Sequence, residues 1–349
     1  MLSIVLSPPV RLHTLLTGWQ TDWLTLVTVA IDVALAGIYV AATLRLRKKG
    51  RSWSRWRTLS FVSGVVTILV ATFSGLASYD DSVFVIHVVQ HLLLMNVAPI
   101  LLVLGAPVTL ALQASGRSTQ TRILRVLHHP VVEFVTNPLV VLAMFSITMI
   151  GYFLTPFYQF SLEHPLVHDF THLHFLVAGC LYWWLVVGVD PSRWRLSYPM
   201  KLGFLAVEIP VGTILGLSLV QATVSVAPRF HTLADTHNGG AVLWIASEVV
   251  TFSAISILLY QWMRSDAREA SRGDRRADAD HARSGNRVGA SGGTGDGSDA
   301  ADPPGAPVGD VVTDRVLTRV QVSGGRLVAV VDPDVPPRER LDPPASGHG

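Results

Sequence analysis

The chain has 349 residues, of which 50% are hydrophobic and 15% are charged, and its formal net charge is +2. A mean hydropathy of +0.42 is too apolar for a soluble protein of this length unless long apolar segments dominate the sequence. This excludes an ordinary soluble domain, and we expect the chain to contact the lipid bilayer and no nucleic acid.

Seven segments are long and apolar enough to cross a bilayer, which takes about 20 mostly apolar residues. They are Leu24–Leu44, Leu59–Ser78, Val83–Leu104, Pro138–Leu154, His172–Val189, Leu202–Val226 and Gly240–Met263. The fourth segment is short, and the third continues into an apolar stretch where Pro99 or Pro107 is expected to kink the helix. The sequence therefore predicts an all-α, multi-pass protein of the cell membrane with seven transmembrane helices.

Lys and Arg residues are concentrated in three of the connections. Residues 45–57 contain seven of them, and the connections 113–137 and 190–201 contain three each. Short loops rich in Lys and Arg stay on the cytoplasmic side, so we expect the amino terminus outside and the carboxyl terminus inside. Residues 1–23 are then an extracytoplasmic segment, and residues 24–263 form the membrane domain. The first ten residues lack a basic region, so we expect no cleavable signal peptide.

The composition changes abruptly after Met263 to Arg, Asp, Gly, Ala and Pro. Such a segment buries too little apolar surface to offset its chain entropy, which predicts a disordered cytoplasmic tail over residues 264–349. Within it, residues 316–331 alternate around Ser-Gly-Gly, a pattern typical of one β-hairpin. An isolated hairpin is marginally stable, and we assign it no function.

Two pairs of histidines, each with members four residues apart, lie in the predicted helices. His87 and His91 belong to the third span, and His168 and His172 lie at the entrance of the fifth. This spacing places each pair on one helical face, and both pairs fall near the outer interface. A buried imidazole without a partner costs free energy. The two pairs therefore predict one shared metal or haem site, with hydrogen-bonded packing residues as the alternative.

Four further residues are weaker candidates. Met95 continues the stripe of His91, whereas His174 points roughly away from the face of its neighbours. Glu248, at a depth comparable with that of His91, is either a metal contact or one half of a helix-to-helix hydrogen bond to Ser or Thr. Asp169 either orients an imidazole or is a helix-start carboxylate. Three other buried groups are interpreted as structural: Asp32, Glu208 and Cys180.

The donor types narrow the choice of metal. Several imidazoles with a possible thioether, and only one cysteine, suit copper, zinc or iron, and the thioether favours Cu(I). A zinc hydrolase would require a carboxylate base in a motif such as H-E-x-x-H, which is absent. The histidine boxes of membrane di-iron oxygenases face the cytoplasm, whereas these histidines face the other side. Copper is therefore the expected ligand.

The same segments carry a family resemblance. The stretches 87-HVVQHLLLMNVAPILLVLGAPVTLAL-112, 164-HPLVHDFTHLHFLVAGCLYWWLVVGVDP-191 and 235-DTHNGGAVLWIASE-248 resemble the CtaG family of cytochrome c oxidase assembly factors. The resemblance implies a non-enzymatic factor that helps copper enter the CuB centre of a haem-copper oxidase, with subunit I as the partner. Its histidine motifs match five residues here: His87, His91, His168, His172 and His174.

Two other classes stay open on the residues alone. Histidines on two helices could ligate haem in a membrane electron carrier, although such proteins usually spread their ligands over both faces. Seven helices also suggest a transporter or receptor, but fold-level analogy is a weak warrant. The absorbance spectrum and the copper content of the purified protein distinguish the first of these from a copper-binding assembly factor.

Overall fold

The computed structural model describes residues 18–19, 22–79, 81–291, 319–323 and 326–330, with side chains as far as residue 275. The helices are α1 (Trp23–Lys48), α2 (Arg55–Phe73), α3 (Phe84–Leu92), a π-helical segment (Leu93–Val97), α4 (Ala98–Leu104), α5 (Pro107–Ala114), α6 (Arg117–Leu127), α7 (Pro130–Val135), α8 (Pro138–Phe153), α9 (Phe157–Glu163), α10 (Pro165–Val187), α11 (Tyr198–Val220) and α12 (Leu233–Ser291). Of the predicted segment 1–23, residues 1–17, 20 and 21 lie outside this description.

Six helical stretches are long and apolar enough to cross a membrane on their own. The predicted fourth span, Pro138–Leu154, corresponds to α8, which is too short to be counted alone and meets α9 at an angle of 72°. Pro156 lies in the break, where it supplies no backbone N–H and disfavours a helical conformation of the preceding residue. The protein is therefore a multi-pass, helical membrane protein, and a seventh span requires α8 and α9 to act together.

The third span is interrupted before Pro107, one of the two prolines expected to kink it. Ala106 adopts a left-handed conformation, with φ 52° and ψ 56°, and α5 starts immediately afterwards. Asp190, which follows α10, accepts hydrogen bonds from the backbone N–H groups of Val108 (3.1 Å) and Thr109 (2.7 Å). A carboxylate distant in sequence thus caps the first turn of α5 and satisfies donors that a helix start leaves free.

The three connections rich in Lys and Arg lie on one face of the bundle. The Lys49 ammonium group donates to the carbonyl of Ala114 at 3.1 Å, which joins the first connection to the second. Arg193 pairs with Glu133 at 2.8 Å, which joins the second connection to the third. The helices α1, α3 and α10 begin at the opposite end, called here the amino-terminal face. A shared basic face is what the orientation argument requires, while the orientation itself stays a prediction.

The end of the chain shows one departure from the prediction and one agreement with it. The helix α12 continues through Ser291, so residues 264–291 are helical, whereas the sequence predicted disorder there. The expected hairpin is present, because β1 (Arg319–Ser323) pairs antiparallel with β2 (Arg326–Val330). The rest of the predicted tail, at 292–318, 324–325 and 331–349, lies outside the described residues. The chain divides into two units, with the boundary between residues 278 and 279.

Candidate metal centre

The four predicted histidines converge between α3 and α10 in one group, called here the histidine cluster. The ring centroids are 4.4 Å apart for His87 and His91 and 4.4 Å apart for His168 and His172. Across the helices, His87 lies 5.3 Å from His168, and His91 lies 5.3 Å from His172. The prediction that the two pairs meet is confirmed. Because α10 begins at Pro165, ahead of both its histidines, His168 and His172 share a face as the spacing required.

The cluster contains buried nitrogen atoms without a hydrogen-bond partner. His91 is 2% exposed, and neither of its ring nitrogens has a partner. The Nε2 atoms of His168 and His172 are likewise buried and unpaired. Packing histidines normally form hydrogen bonds, since an unsatisfied buried polar atom costs about 1–3 kcal/mol. A bound ion would satisfy one ring nitrogen of each histidine that coordinates it.

Donor separations within the cluster suit a metal ion. One ligand atom each from His87, His91 and His168 lie within 4.8 Å of one another, and so do ligand atoms of His168, Asp169 and His172. Metal-bound imidazole nitrogens lie about 2.0–2.1 Å from a small ion such as zinc, so modest side-chain rotations would close either group around it. His168 belongs to both groups. It can therefore bind an ion together with His87 and His91 of α3, or together with Asp169 and His172 of α10.

A π-helical turn lies directly after His91 and is explained by Pro99. A proline has no N–H to offer the carbonyl four residues earlier, and its ring clashes with that carbonyl. This carbonyl belongs to Met95, inside the Leu93–Val97 segment. The backbone hydrogen bonds change there from the i to i−4 to the i to i−5 pattern, so that the Ala98 N–H donates to the Leu93 carbonyl. π-Helical turns of this kind are frequent at functional sites.

Gly179 allows α10 to pack closely against this π-helical turn. A Cβ atom at Gly179 would collide with the carbonyl oxygen of Met95 and would lie 2.7 Å from Cγ of Pro99. Only glycine permits an approach of this kind without displacing backbone. Two turns of α10 separate Gly179 from His172, so the same close approach sets the distance between the histidines of the two helices.

Aromatic rings surround the histidine cluster. Phe175 lies against His91 with a centroid separation of 4.2 Å, and Tyr158 lies against His87 at 4.8 Å. The Tyr152 hydroxyl is 3.4 Å from Nε2 of His87 and 3.0 Å from the hydroxyl of Ser161. These rings pack against the imidazoles of His87 and His91 and restrict their orientations.

One supporting layer involves His231, which the sequence analysis did not single out. His231 lies between α11 and α12, and its Nε2 is 2.7 Å from the Tyr158 hydroxyl. Burial lowers the pKa of His231 to about 4, so the imidazole is neutral. Its Nδ1 faces the Asp235 carboxylate at 3.7 Å, which favours the tautomer with the proton on Nδ1. The Tyr158 hydroxyl then donates to Nε2.

Asp235 connects this layer to the helix that carries His87 and His91. Its carboxylate accepts hydrogen bonds from the backbone N–H groups of Phe84 (2.6 Å) and Val85 (3.5 Å). Asp235 belongs to α12, so a residue from the last described helix caps the start of α3. The only sequence signal for this role was the position of Asp235 in the quoted family motif.

We expect Asp235→Ala to destabilise the protein and loosen the histidine cluster. The change removes a buried, charge-assisted cap, and hydrogen bonds to charged groups contribute about 1.5–3 kcal/mol. For a domain of this size, the loss corresponds to a decrease in Tm of roughly 5 °C, measurable by thermal unfolding of the protein in detergent. Asp235→Asn retains an acceptor oxygen and should fall between the wild type and the alanine variant. An unchanged Tm for Asp235→Ala would show that the cap contributes nothing.

The remaining candidates lie apart from the unpaired nitrogens. His174 was predicted as a ligand, but it faces α8, where its Nε2 is 2.8 Å from the Thr148 hydroxyl. That outcome follows from its position on α10, two residues from His172 and about 200° around the axis. Glu248 accepts a hydrogen bond from Thr213 on α11 at 3.0 Å, which is the structural alternative considered for it.

Met95 and Asp169 lie in opposite kinds of surroundings, the first buried and the second exposed. Met95 is completely buried in the main hydrophobic cluster, and its thioether role stays a prediction. Asp169 lies beyond the first turn of α10, which contains no acidic residue, so the role of a helix-start carboxylate does not fit it. It is exposed and lies close to His168 and His172, as described above.

Comparisons with known proteins agree with this part of the chain. A family model described as "Cytochrome c oxidase caa3 assembly factor (Caa3_CtaG)" matches residues 37–265. The chain is 33% identical over 294 residues to uncharacterized proteins of Mycobacterium bovis and Mycobacterium tuberculosis, and 30% identical over 295 residues to one of Mycobacterium leprae. Each alignment covers 79% of this chain and 44% of the relative, so the chain spans less than half the length of the curated relatives it matches. No solved structure matches.

Proposed function

Since the chain belongs to the family of cytochrome c oxidase caa3 assembly factors, we propose that it binds copper at the histidine cluster and assists its insertion into the oxidase. The proposed receiving site is the CuB centre in subunit I of a haem-copper oxidase. Copper is cargo in this proposal, and the protein performs no catalytic step. The amino-terminal face, where the cluster lies, is proposed to be the outer face of the membrane.

One observation carries the proposal, namely the unpaired nitrogen atoms of buried imidazoles on two helices. Both nitrogens of His91 and the Nε2 atoms of His168 and His172 lack partners. A purely structural cluster would leave several buried acceptors unsatisfied, at a cost that accumulates with each atom. An ion held by one nitrogen of each ring removes most of that cost, and this is why binding is favoured over packing.

The charge of the cluster favours Cu(I) over a divalent ion. The group of His87, His91 and His168 contains no carboxylate to neutralise a bound cation. The cost of transferring an ion into a medium of low dielectric constant rises with the square of its charge, so a monovalent ion costs about one quarter as much as a divalent one. Imidazole is also an established copper ligand, and a buried thioether nearby adds to the preference.

Metal and haem analysis of the purified protein tests the proposal. We expect the full chain, purified in detergent and incubated with Cu(I) under reducing conditions, to retain about one copper ion per chain after desalting, without a Soret band. The matched control is the His91→Gln variant, which should retain little copper. A strong Soret band in protein purified without added metal would favour the haem-binding electron carrier. Absence of retained copper would refute the proposed function.

A further inference from the structure

A cavity of about 640 Å³ lies beside the histidine cluster, between α1 and α10. His168 and His172 form part of its wall, so the cavity reaches two of the four proposed ligands directly. The rest of the described lining comes mainly from α1 and from other residues of α10, with fewer residues from α2, α3, the π-helical segment and the connection before α3. This cavity is not needed to explain how the cluster is held together, since α10 packs on the π-helical segment and α4, which continue the span that carries His87 and His91.

Four carboxylates line the cavity, and its described lining contains no Lys or Arg. Three of them, Asp22, Asp81 and Asp169, lie at or near the amino-terminal face. The negative charges of Asp22 and Asp81 both act on Asp169, and that of Asp81 also acts on His168, which places the charges near one another and near the cluster. Hydrogen bonds from Thr25 hold the pKa of Asp22 below its ordinary value, so this carboxylate is ionised at neutral pH.

The fourth carboxylate, Asp32, lies deeper along the wall of the cavity. It is nine residues after the start of α1, or about 13 Å along the helix axis. Asp32 is 5% exposed, and its Oδ2 atom has no hydrogen-bond partner. A buried carboxylate in a membrane helix is costly and is usually functional. The sequence analysis interpreted Asp32 as structural, but a structural role would provide a partner for this oxygen.

A second type of side chain independently indicates a ligand. Gln90 on α3 also lines the cavity and is completely buried. Its amide nitrogen donates to the carbonyl of Ala71 at 2.9 Å, but its Oε1 atom has no partner. An amide oxygen with free lone pairs, buried beside a cavity, suits a passing cation or the water that accompanies it. The wall therefore offers oxygen ligands between the mouth and the imidazoles.

We propose that this cavity is the entry path by which a metal cation reaches the histidine cluster, with Asp22, Asp81 and Asp169 as the cation-attracting mouth and Asp32 and Gln90 as inner contacts. The inference rests on the proposed function, because it takes the cluster as the destination. Oxygen donors bind a soft monovalent cation weakly, and imidazoles bind it more strongly. A cation attracted by the mouth is therefore passed inward and not retained there.

The proposed path predicts a change in the rate at which metal loads and little change in the equilibrium affinity of the site. Concentrated like charges at a cleft raise the rate of association of oppositely charged ligands by 10-fold or more, and salt weakens this effect. We expect the double variant Asp22→Asn and Asp81→Asn to load roughly tenfold more slowly at low ionic strength. Asp169 is left unchanged in this variant, because its carboxylate also lies beside the ligand atoms of His168 and His172. The difference should narrow at high ionic strength, and the equilibrium affinity should change less than about threefold. Asp32→Asn alone should slow loading without the same dependence on salt.

Rapid mixing of the full-length protein in detergent with Ag⁺ tests the path, because Ag⁺ is a redox-stable, soft, monovalent analogue of Cu⁺. The change in intrinsic fluorescence reports loading, and it is assigned to the cluster by its loss in His91→Gln. Equilibrium dialysis gives the affinity and verifies that each variant retains a folded site. Glu163→Gln is the matched control, since Glu163 pairs with Arg229 at 2.7 Å and does not line the cavity.

The possible results distinguish the proposed entry path from the proposed function. Slower loading of the double variant with a retained affinity supports the path. Loading at the wild-type rate by both the double variant and Asp32→Asn overturns the path and leaves the proposed function intact. An equal slowing in Glu163→Gln shows a general effect of surface charge and also overturns the path. Wild-type protein that binds neither Ag⁺ nor Cu(I) at equilibrium overturns the proposed function and the path together.

Discussion

The His91→Gln variant is expected to bind Cu(I) at least roughly 100-fold more weakly than the wild type, while remaining folded. Alteration of groups that merely support a metal ligand already lowers metal affinity by 10- to 100-fold, so loss of a ligand should cost no less. Glutamine is preferable to alanine here, because His91 is 2% exposed and packs against Phe175, and truncation would leave a cavity. An amide binds Cu(I) far more weakly than imidazole does.

The measurement is a competition titration of Cu(I) between the purified protein and a chromogenic chelator of known affinity. The matched control is His174→Gln, on the same helix as His168 and His172 but directed at Thr148. Its affinity should remain within a few-fold of the wild-type value, because glutamine can still hydrogen-bond to the Thr148 hydroxyl. If His91→Gln binds Cu(I) as tightly as the wild type, or if both variants weaken binding equally, the histidine cluster is not the copper site.

The second large effect is expected in cells, in the oxidase. A strain whose chromosomal copy encodes His172→Gln should assemble an oxidase that retains its haems but is deficient in the copper of its haem-copper centre. Oxidase activity should fall in proportion to this copper deficit, since the centre cannot reduce oxygen without its metal. The measurements are the haem spectrum, the copper-to-haem ratio and oxygen consumption of oxidase purified from the strain.

Two comparisons distinguish metal transfer from packing in that experiment. The amount of the assembly factor in membranes must match the wild type, which removes misfolding and degradation as the cause. His174→Gln should leave the copper-to-haem ratio unchanged. A packing role for His172 predicts a normal copper content of the oxidase in the His172→Gln strain, because glutamine resembles histidine in volume. Full copper content of the oxidase in the His172→Gln strain would therefore count decisively against metal transfer.

The placement of each histidine pair on one helical face was predictable, because it follows from helical periodicity. Residues four apart share a face of any helix, and α3 and α10 both keep that period where their histidines lie. The same periodicity predicted that His174 points away. The break before Pro107 was predictable as well, because proline acts on the chain locally.

Features that depend on tertiary packing were not predictable from one sequence. The contact between Gly179 and the π-helical turn depends on which helix α10 packs against. The caps supplied by Asp190 and Asp235 join positions separated by more than 80 residues, and no local pattern specifies such pairs. The helical extension over residues 264–291 was missed because its polar composition resembles that of a disordered segment.

The cap from Asp235 also has a consequence for the order of synthesis. Membrane helices leave the ribosome in chain order, and Asp235 is translated 151 residues after Phe84, the residue whose N–H it accepts. Until α12 emerges, the N–H groups of Phe84 and Val85 lack the Asp235 carboxylate as their acceptor, and the start of the helix that carries His87 and His91 is not capped. The geometry of the histidine cluster is therefore completed only when the last described helix is in place. A chain interrupted before α12 would not present the complete histidine cluster.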